Sequence, residues 1–230
     1  MGDAAGATAE RLIGNRAITI SIMAEPAPTR QRLLEEGMRL IAERGFRATA
    51  VGDIEAAAGL QPRRGALYKH FPTKQALLEA AVRTHLDSAA TGATQINELH
   101  RTSALEADRA LLRPIVLGLG RWFLDEMDRL KDLTRVLEHE GQRMADLTVE
   151  VKNNIVDLSY RTAASLIAAV QPEAQDPEAT AFLVLGPLVT LRRTAWTFGS
   201  PPLDIDDDRA LTAWTELTLV TLDAGRDDDR

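Results

Sequence analysis

Apolar residues in this chain recur three and four positions apart almost from end to end, and that period commits it to packed α-helices. Strand signals are nearly absent: aromatics make up 4% of 230 residues, and β-branched alternation is confined to Ala17–Ile22. Thr29–Arg44 reads as a first helix, with Leu33, Leu34, Gly37, Met38, Leu40 and Ile41 on one side. Arg32–Glu36 and Glu35–Arg39 are expected ion pairs on the other side. Gly45 is the expected stop, with Phe46 folding back on the last turn. Val51–Ala58 reads as a short second helix ended by Gly59, and Pro62–Lys69 as a third with proline at its first position. Thr73 caps a fourth helix that starts at Lys74 and runs to about Leu86 or beyond.

The remainder holds longer helices. They are expected over Ala104–Leu130, Asp132–Gln142, Asp146–Gln171, Pro177–Phe198 and Asp206–Leu222. The fold class is therefore all-α, with about nine helices. A three-helix head occupies residues 29–89 and a larger helical body residues 90–225. The last two helices are apolar on more than one side, so each needs two partners, and an identical subunit supplies the second. Gly186-Pro187 is expected to kink the first of them and to open a pocket or shape a dimer face.

Composition narrows the function classes. The chain is 45% hydrophobic, enough for a packed core, and has no cysteine. That removes disulfides, thiolate metal sites and cysteine nucleophiles, and it fits a reducing cytoplasm. The longest mostly apolar stretch, Ala181–Leu191, is too short for the roughly 20 residues a membrane span needs. Residues 1–28 read as a disordered extension. Ile18–Ala24 follows Arg11 and Arg16, but it is short, broken by Thr and Ser, and lacks a signal-peptide cleavage site. Met23 is an alternative start to Met1, and 226–230 is an acidic tail.

Net charge is −7, which at first argues against a polyanion as partner. The average hides a split. Residues 29–75 hold nine Lys and Arg against five Asp and Glu, so a small basic module sits on an acidic body.

The most informative run is Ala48 to Lys74. Two short helices meet at a turn containing Gly59, the geometry a helix-turn-helix needs to project its second helix into a major groove. Val51, Ile54, Ala57, Leu60, Leu67 and Phe71 are the expected core between them, and the small residues Ala56–Ala58 allow close approach. Arg63, Arg64, Tyr68 and Lys69 are the outward positions.

The string Gly59-Leu60…Leu67-Tyr68-Lys69-His70-Phe71-Pro72-Thr73-Lys74…Leu77-Leu78 resembles the signature of the tetracycline-repressor (TetR) family. The resemblance covers about residues 29–80. It implies that Tyr68 and His70 hydrogen-bond phosphates. It implies that Lys74 meets a phosphate with help from the backbone amides at the start of its helix. Base readout falls to Gln61, Arg63 and Arg64, with arginine able to pair bidentately with guanine. Two departures stand out. Nine positions separate Gly59 from Tyr68, where the family has seven; the insertion either lengthens the turn or adds half a turn to the reading helix. Ala50 stands where the family has a hydroxyl that caps helix two and touches phosphate, and Thr49 is the expected substitute.

Catalytic, metal and cofactor sites are not expected. Glu138-His139-Glu140 are neighbours on a helix and point about 100° apart, so they cannot converge on a metal. Gly118-Leu119-Gly120 has no preceding strand and reads as helix packing. In the body, Trp122, Phe123, Met127, Met144, Tyr160 and Trp196 are candidate walls of a small-molecule pocket, with His139, Arg143 and Asn154 as polar contacts. The resemblance thus implies a cytoplasmic homodimer on a near-palindromic operator in double-stranded DNA, joined through its last two helices and released by a small-molecule effector. The alternative is a DNA-binding regulator without an effector, acting through a protein partner or as an activator.

Overall fold

The computed structural model describes residues 28–102 and 109–223, with side chains at 28–92 and 112–223. The N-terminal extension and the acidic tail lie outside them. Every described element is helical or a turn. In chain order the helices are α1 (Thr29–Arg44), α2 (Val51–Ala57), α3 (Lys74–Thr102), α4 (Arg109–Arg129), α5 (Lys131–Glu140), α6 (Ala145–Val151), α7 (Asp157–Val170), α8 (Pro177–Phe198) and α9 (Asp207–Asp223).

Local chemistry explains most boundaries. Thr73 Oγ1 accepts the Ala76 N–H at 2.9 Å and opens α3 as expected. Asp176 accepts from Ala179 N at 2.9 Å to open α8, with Pro177 in its first turn and Gly199 left-handed at its end. Asp206 accepts from Arg209 N at 2.8 Å ahead of α9. At the end of α2, Gly59 N donates to Ala56 O and Leu60 N to Glu55 O, the paired bonds of a Schellman motif with Gly59 at φ 73°.

Several expectations are corrected. The anticipated third helix, Pro62–Lys69, is reduced to a 3₁₀ turn at Leu67–Lys69. Arg63 and Gly65, both at positive φ, break any helix ahead of it. On α1, Arg39 bridges Glu36 at 2.6 Å and Glu43 at 2.9 Å, so the pairs Arg32–Glu36 and Glu35–Arg39 do not form. The anticipated Asp146–Gln171 helix is divided into α6 and α7 by a π turn at Lys152–Val156. The fourth expected helix, α3, does continue beyond Leu86, to Thr102.

Three packed clusters hold the chain together. The first joins α1, α2 and α3 to α5, α6 and the π turn, from Leu33 and Ile54 through Leu77 and Val82 to Val136 and Ile155. Head and body therefore share a core, and residue 89 falls inside a continuous helix. The second cluster joins α4, α8 and α9 through Leu124, Leu188, Leu211 and Trp214; the third joins α7, α8 and α9 through Ile167, Ala181 and Leu222. Arg192, nearly buried on α8, ties the same elements electrostatically. Its guanidinium meets both carboxylate oxygens of Asp207, at 2.6 and 2.7 Å. That pairing holds the Asp207 carboxyl below its ordinary pKa.

Gly118 and Gly120 separate two effects on one helix. A Cβ on Gly120 would stand 2.5 Å from the Trp214 ring and 2.9 Å from Leu211, whereas one on Gly118 meets nothing within 4 Å. Gly120→Ala is therefore expected to lower stability by about 1–3 kcal/mol through overpacking. Gly118→Ala is expected to raise it by about 0.5–1 kcal/mol through helix propensity. Thermal or urea unfolding of the two variants checks the opposite signs.

Candidate nucleic-acid interface

The short helix α2 buries one face. Ile54 and Ala58 are inside, and Val51 and Leu60 pack at the edge. Ala57, expected in this core, is exposed along with Ala56, and Ala58 takes the inner position instead. Leu67 and Phe71 complete the cluster from the far side of the turn. Between them, Gln61, Pro62, Arg63 and Arg64 lie on the surface, and Tyr68, Lys69 and His70 follow, also exposed. Pro62 and Arg63 rest on α2 at Gly52, where a Cβ would lie 3.5 Å from the Arg63 side chain. Of the reading and gripping residues named from sequence, seven remain together in this region: Gln61, Arg63, Arg64, Tyr68, Lys69, His70 and Lys74.

Thr49 does not join them. It is fully buried, and its hydroxyl is shared between the carbonyls of Leu40 at 3.1 Å and Gly45 at 2.9 Å. The role of substitute phosphate contact is thereby withdrawn. Neither Thr49 nor Ala50 caps α2 with a side chain.

Lys74 occupies the first position of α3, as expected, but most of its ammonium is used within the protein. Nζ donates to Phe46 O at 2.5 Å and Thr49 O at 2.6 Å, and lies 4.2 Å from the centre of the Phe46 ring. An ammonium has three donors, so one is left for an outside acceptor. Burial lowers the Lys74 pKa, and the positive charge of Arg143 lowers it further against the opposing pull of Glu140.

Two acidic residues given no part in this region by the sequence support it. Glu140, at the end of α5, accepts the Phe46 N–H at 3.1 Å, while the Arg143 guanidinium lies 4.9 Å from the centre of the Phe46 ring. Glu55 is fully buried on α2 and accepts Arg63 N at 2.7 Å and Leu67 N at 3.0 Å. Its signal was present in the spacing: Glu55 shares the helical face of Val51, Ile54 and Ala58, where only apolar residues belong.

The anticipated effector residues are not assembled into one wall. Trp122 reaches α3 at Gly92, and Phe123 packs on the second cluster. Met127 is half-buried on α4. Met144 is buried in the first cluster, and Arg143 stands at Phe46. Tyr160 meets Phe182 at 5.9 Å, and Trp196 Nε1 donates to Asp128 at 3.4 Å. His139 and Asn154 are exposed. Glu138 pairs with Arg193 while Glu140 turns to Phe46, so the acidic-histidine triplet diverges. A groove of about 1000 Å³ does exist elsewhere, lined by Pro187, Leu188, Leu191, Ile205, Trp214 and Leu217 among others, and none of the nine candidates borders it.

The electrostatics of the head are one-sided. Among the described residues, Arg63, Arg64 and Lys69 make no ion pair, and they lie on an exposed turn beside an aromatic hydroxyl and an imidazole. Cations left unneutralised in this setting suit a phosphate backbone.

Comparison with known proteins makes the class specific. The profile of the family described as bacterial regulatory proteins, tetR family, matches residues 33–81. The HTH-type transcriptional repressor KstR2 of Mycolicibacterium smegmatis is 30% identical over 146 residues, covering 60% of this chain and 70% of that protein. The HTH-type transcriptional regulator YvkB of Bacillus subtilis is 27% identical over 120 residues, covering 52% of this chain and 56% of that protein. The matches thus span from just over half to 70% of these relatives' lengths. A TetR-family structure from Mesorhizobium loti shares the fold with a TM-score of 0.64 at 16% identity, over 87% of this chain and 98% of the other. AibR, solved with isovaleryl coenzyme A and operator DNA, shares it with a TM-score of 0.50 at 21% identity, over 83% and 97%. The chain belongs to the tetR family of bacterial regulatory proteins. No helix among the described residues is long and apolar enough to cross a membrane.

Lys74 and Tyr68 are expected to separate stability from binding. Lys74→Ala strips two carbonyls of a charged donor and should destabilise the fold by about 1.5–3 kcal/mol per bond lost, before any effect on DNA. Tyr68, 58% exposed, should be replaceable by Ala without a change in melting temperature. Calorimetry on both variants decides; an unshifted transition in Lys74→Ala would contradict the bonding described.

Proposed function

We propose that the chain is a homodimeric repressor that binds a near-palindromic operator and leaves it when a small molecule occupies the helical body. The observation that carries the DNA half is the unpaired basic segment Arg63, Arg64 and Lys69 next to exposed Tyr68 and His70. In this reading Tyr68, Lys69 and His70 hold phosphates, joined by the remaining donor of Lys74. Gln61, Arg63 and Arg64 meet base edges.

The dimer is assigned to α8 and α9. Phe182, Leu183, Leu217 and Val220 are each more than half exposed on these helices, and the apolar groove lies alongside them. Large apolar patches of this kind are rarely left to water, and a stable dimer needs about 800 Å² from each partner. Two copies would place their reading segments about 34–36 Å apart, one turn of DNA.

The effector is assigned to the body. What supports a link to DNA is Phe46. Its N–H is held by Glu140 of α5, its carbonyl by Lys74 of α3, and its ring lies against Lys74 and Arg143. A ligand that shifts α5 therefore moves the turn in front of α2. Coupling of this type is about 1–3 kcal/mol. A cytoplasmic setting follows from the DNA target.

Gel-shift titration against a duplex selected by the chain from a randomised pool tests the proposal. With about eight phosphates contacted, the log–log salt slope should lie near −7. Leu217→Glu should convert the dimer to monomers in sedimentation equilibrium and abolish tight operator binding. Salt-independent affinity would overturn the DNA assignment, and an unchanged dimer would overturn the α8–α9 interface.

A further inference from the structure

Glu55 is the one fully buried acid in the head's core, and its cost requires an explanation. A carboxylate removed from water loses several kcal/mol of hydration unless it is well bonded, and an apolar residue on this face would avoid the loss. Glu55 also makes no ion pair among the described residues. Its two oxygens are instead spent on two backbone donors, Arg63 N at 2.7 Å and Leu67 N at 3.0 Å.

Those donors stand eight and twelve residues along the chain, at the two ends of the segment that replaces the expected helix. Residues 62–65 lie outside any helix, and Arg63 is held at φ 63°, a left-handed conformation unfavourable for a side chain with a Cβ. Gly65, at φ 69°, supplies the second reversal. Charge-assisted bonds are shorter and stronger than neutral ones, which suits a carboxylate to holding a strained turn. The contact of Pro62 and Arg63 with Gly52 fixes the same segment from below.

We infer that Glu55 is the positioning residue for base recognition: its carboxylate clamps both ends of the Arg63–Leu67 segment and so sets where the Arg63 and Arg64 side chains meet the major groove. The element that reads DNA is then a carboxylate-held loop, and its selectivity resides in a residue that touches no base. This rests on the DNA-binding reading proposed above. A guanidinium displaced by a loosened loop loses its bidentate geometry but keeps its charge, so base selectivity falls while phosphate attraction persists.

The test compares Glu55→Gln with the unmodified chain on two duplexes, the one selected from a randomised pool and a scrambled one of equal length. Gln keeps one acceptor and turns an NH₂ toward the second donor. The ratio of selected to scrambled affinity should fall about ten- to a hundredfold, while scrambled affinity and salt slope stay within about twofold. Glu55→Asp should recover part of the ratio. If the unmodified chain binds neither duplex, the DNA-binding reading fails. If it binds selectively and Glu55→Gln retains the full ratio, the positioning role fails. Should Glu55→Gln not fold, amide hydrogen exchange on the unmodified chain decides. Protected Arg63 and Leu67 amides in an otherwise exposed, non-helical segment support the clamp, and fast exchange at both overturns it.

Discussion

The head of this protein is limited by unpaired backbone. Between α1 and α3 the chain turns three times in fewer than 30 residues, and turns leave N–H and C=O groups without helical partners. Buried or half-buried side chains fill those vacancies one by one. Lys74 answers Phe46 O and Thr49 O, Thr49 answers Leu40 O and Gly45 O, and Glu55 answers Arg63 N and Leu67 N. From the body, Glu140 answers Phe46 N. Much of the polar chemistry that looks like DNA contact in the sequence is therefore structural first. On the exposed turn that follows α2, Arg63, Arg64 and Lys69 make no ion pair among the described residues.

This constraint also explains what the amino-acid order revealed. Helix ends marked by Gly59, Thr73, Pro177 and Gly199 were legible because each acts on its own neighbours, through φ or a cap within four residues. The two-sided hydrophobicity of α8 and α9 was legible for the same reason: it is a periodic property of one segment. The reading element was not. Pro62 at a helix start followed by Arg, Arg, Ala and Leu has respectable helical propensity, and only Gly65 argues against it locally. The decision comes from Glu55, a residue on another helix. Thr49 misled in the opposite way: a polar residue before a helix reads as a cap or a surface contact, yet its carbonyl partners on α1 bury it.

The body shows the same boundary more sharply. Aromatic and methionine residues announce burial but carry no direction between helices, so the set from Trp122 to Trp196 spreads over the core, the Phe46 junction and the surface. Helix α3 passes residue 89 without a break, and the first cluster runs from Leu33 to Ile155. The shared core couples the head to α5, α6 and the π turn of the body.

That coupling separates two properties that DNA-binding proteins often join. In the proposed reading, grip falls to the start of α3 and the 3₁₀ turn, where Lys74 is bonded to Phe46 O. Reading falls to the loop whose Arg63 and Leu67 amides donate to Glu55 of α2. Displacing the first weakens binding to every sequence alike, since phosphates are the same everywhere. Displacing the second changes which sequence is preferred while leaving general affinity in place. In the proposed reading an effector acting through α5 and Phe46 bears on grip, and the Glu55 bonds to Arg63 N and Leu67 N stand apart from that route.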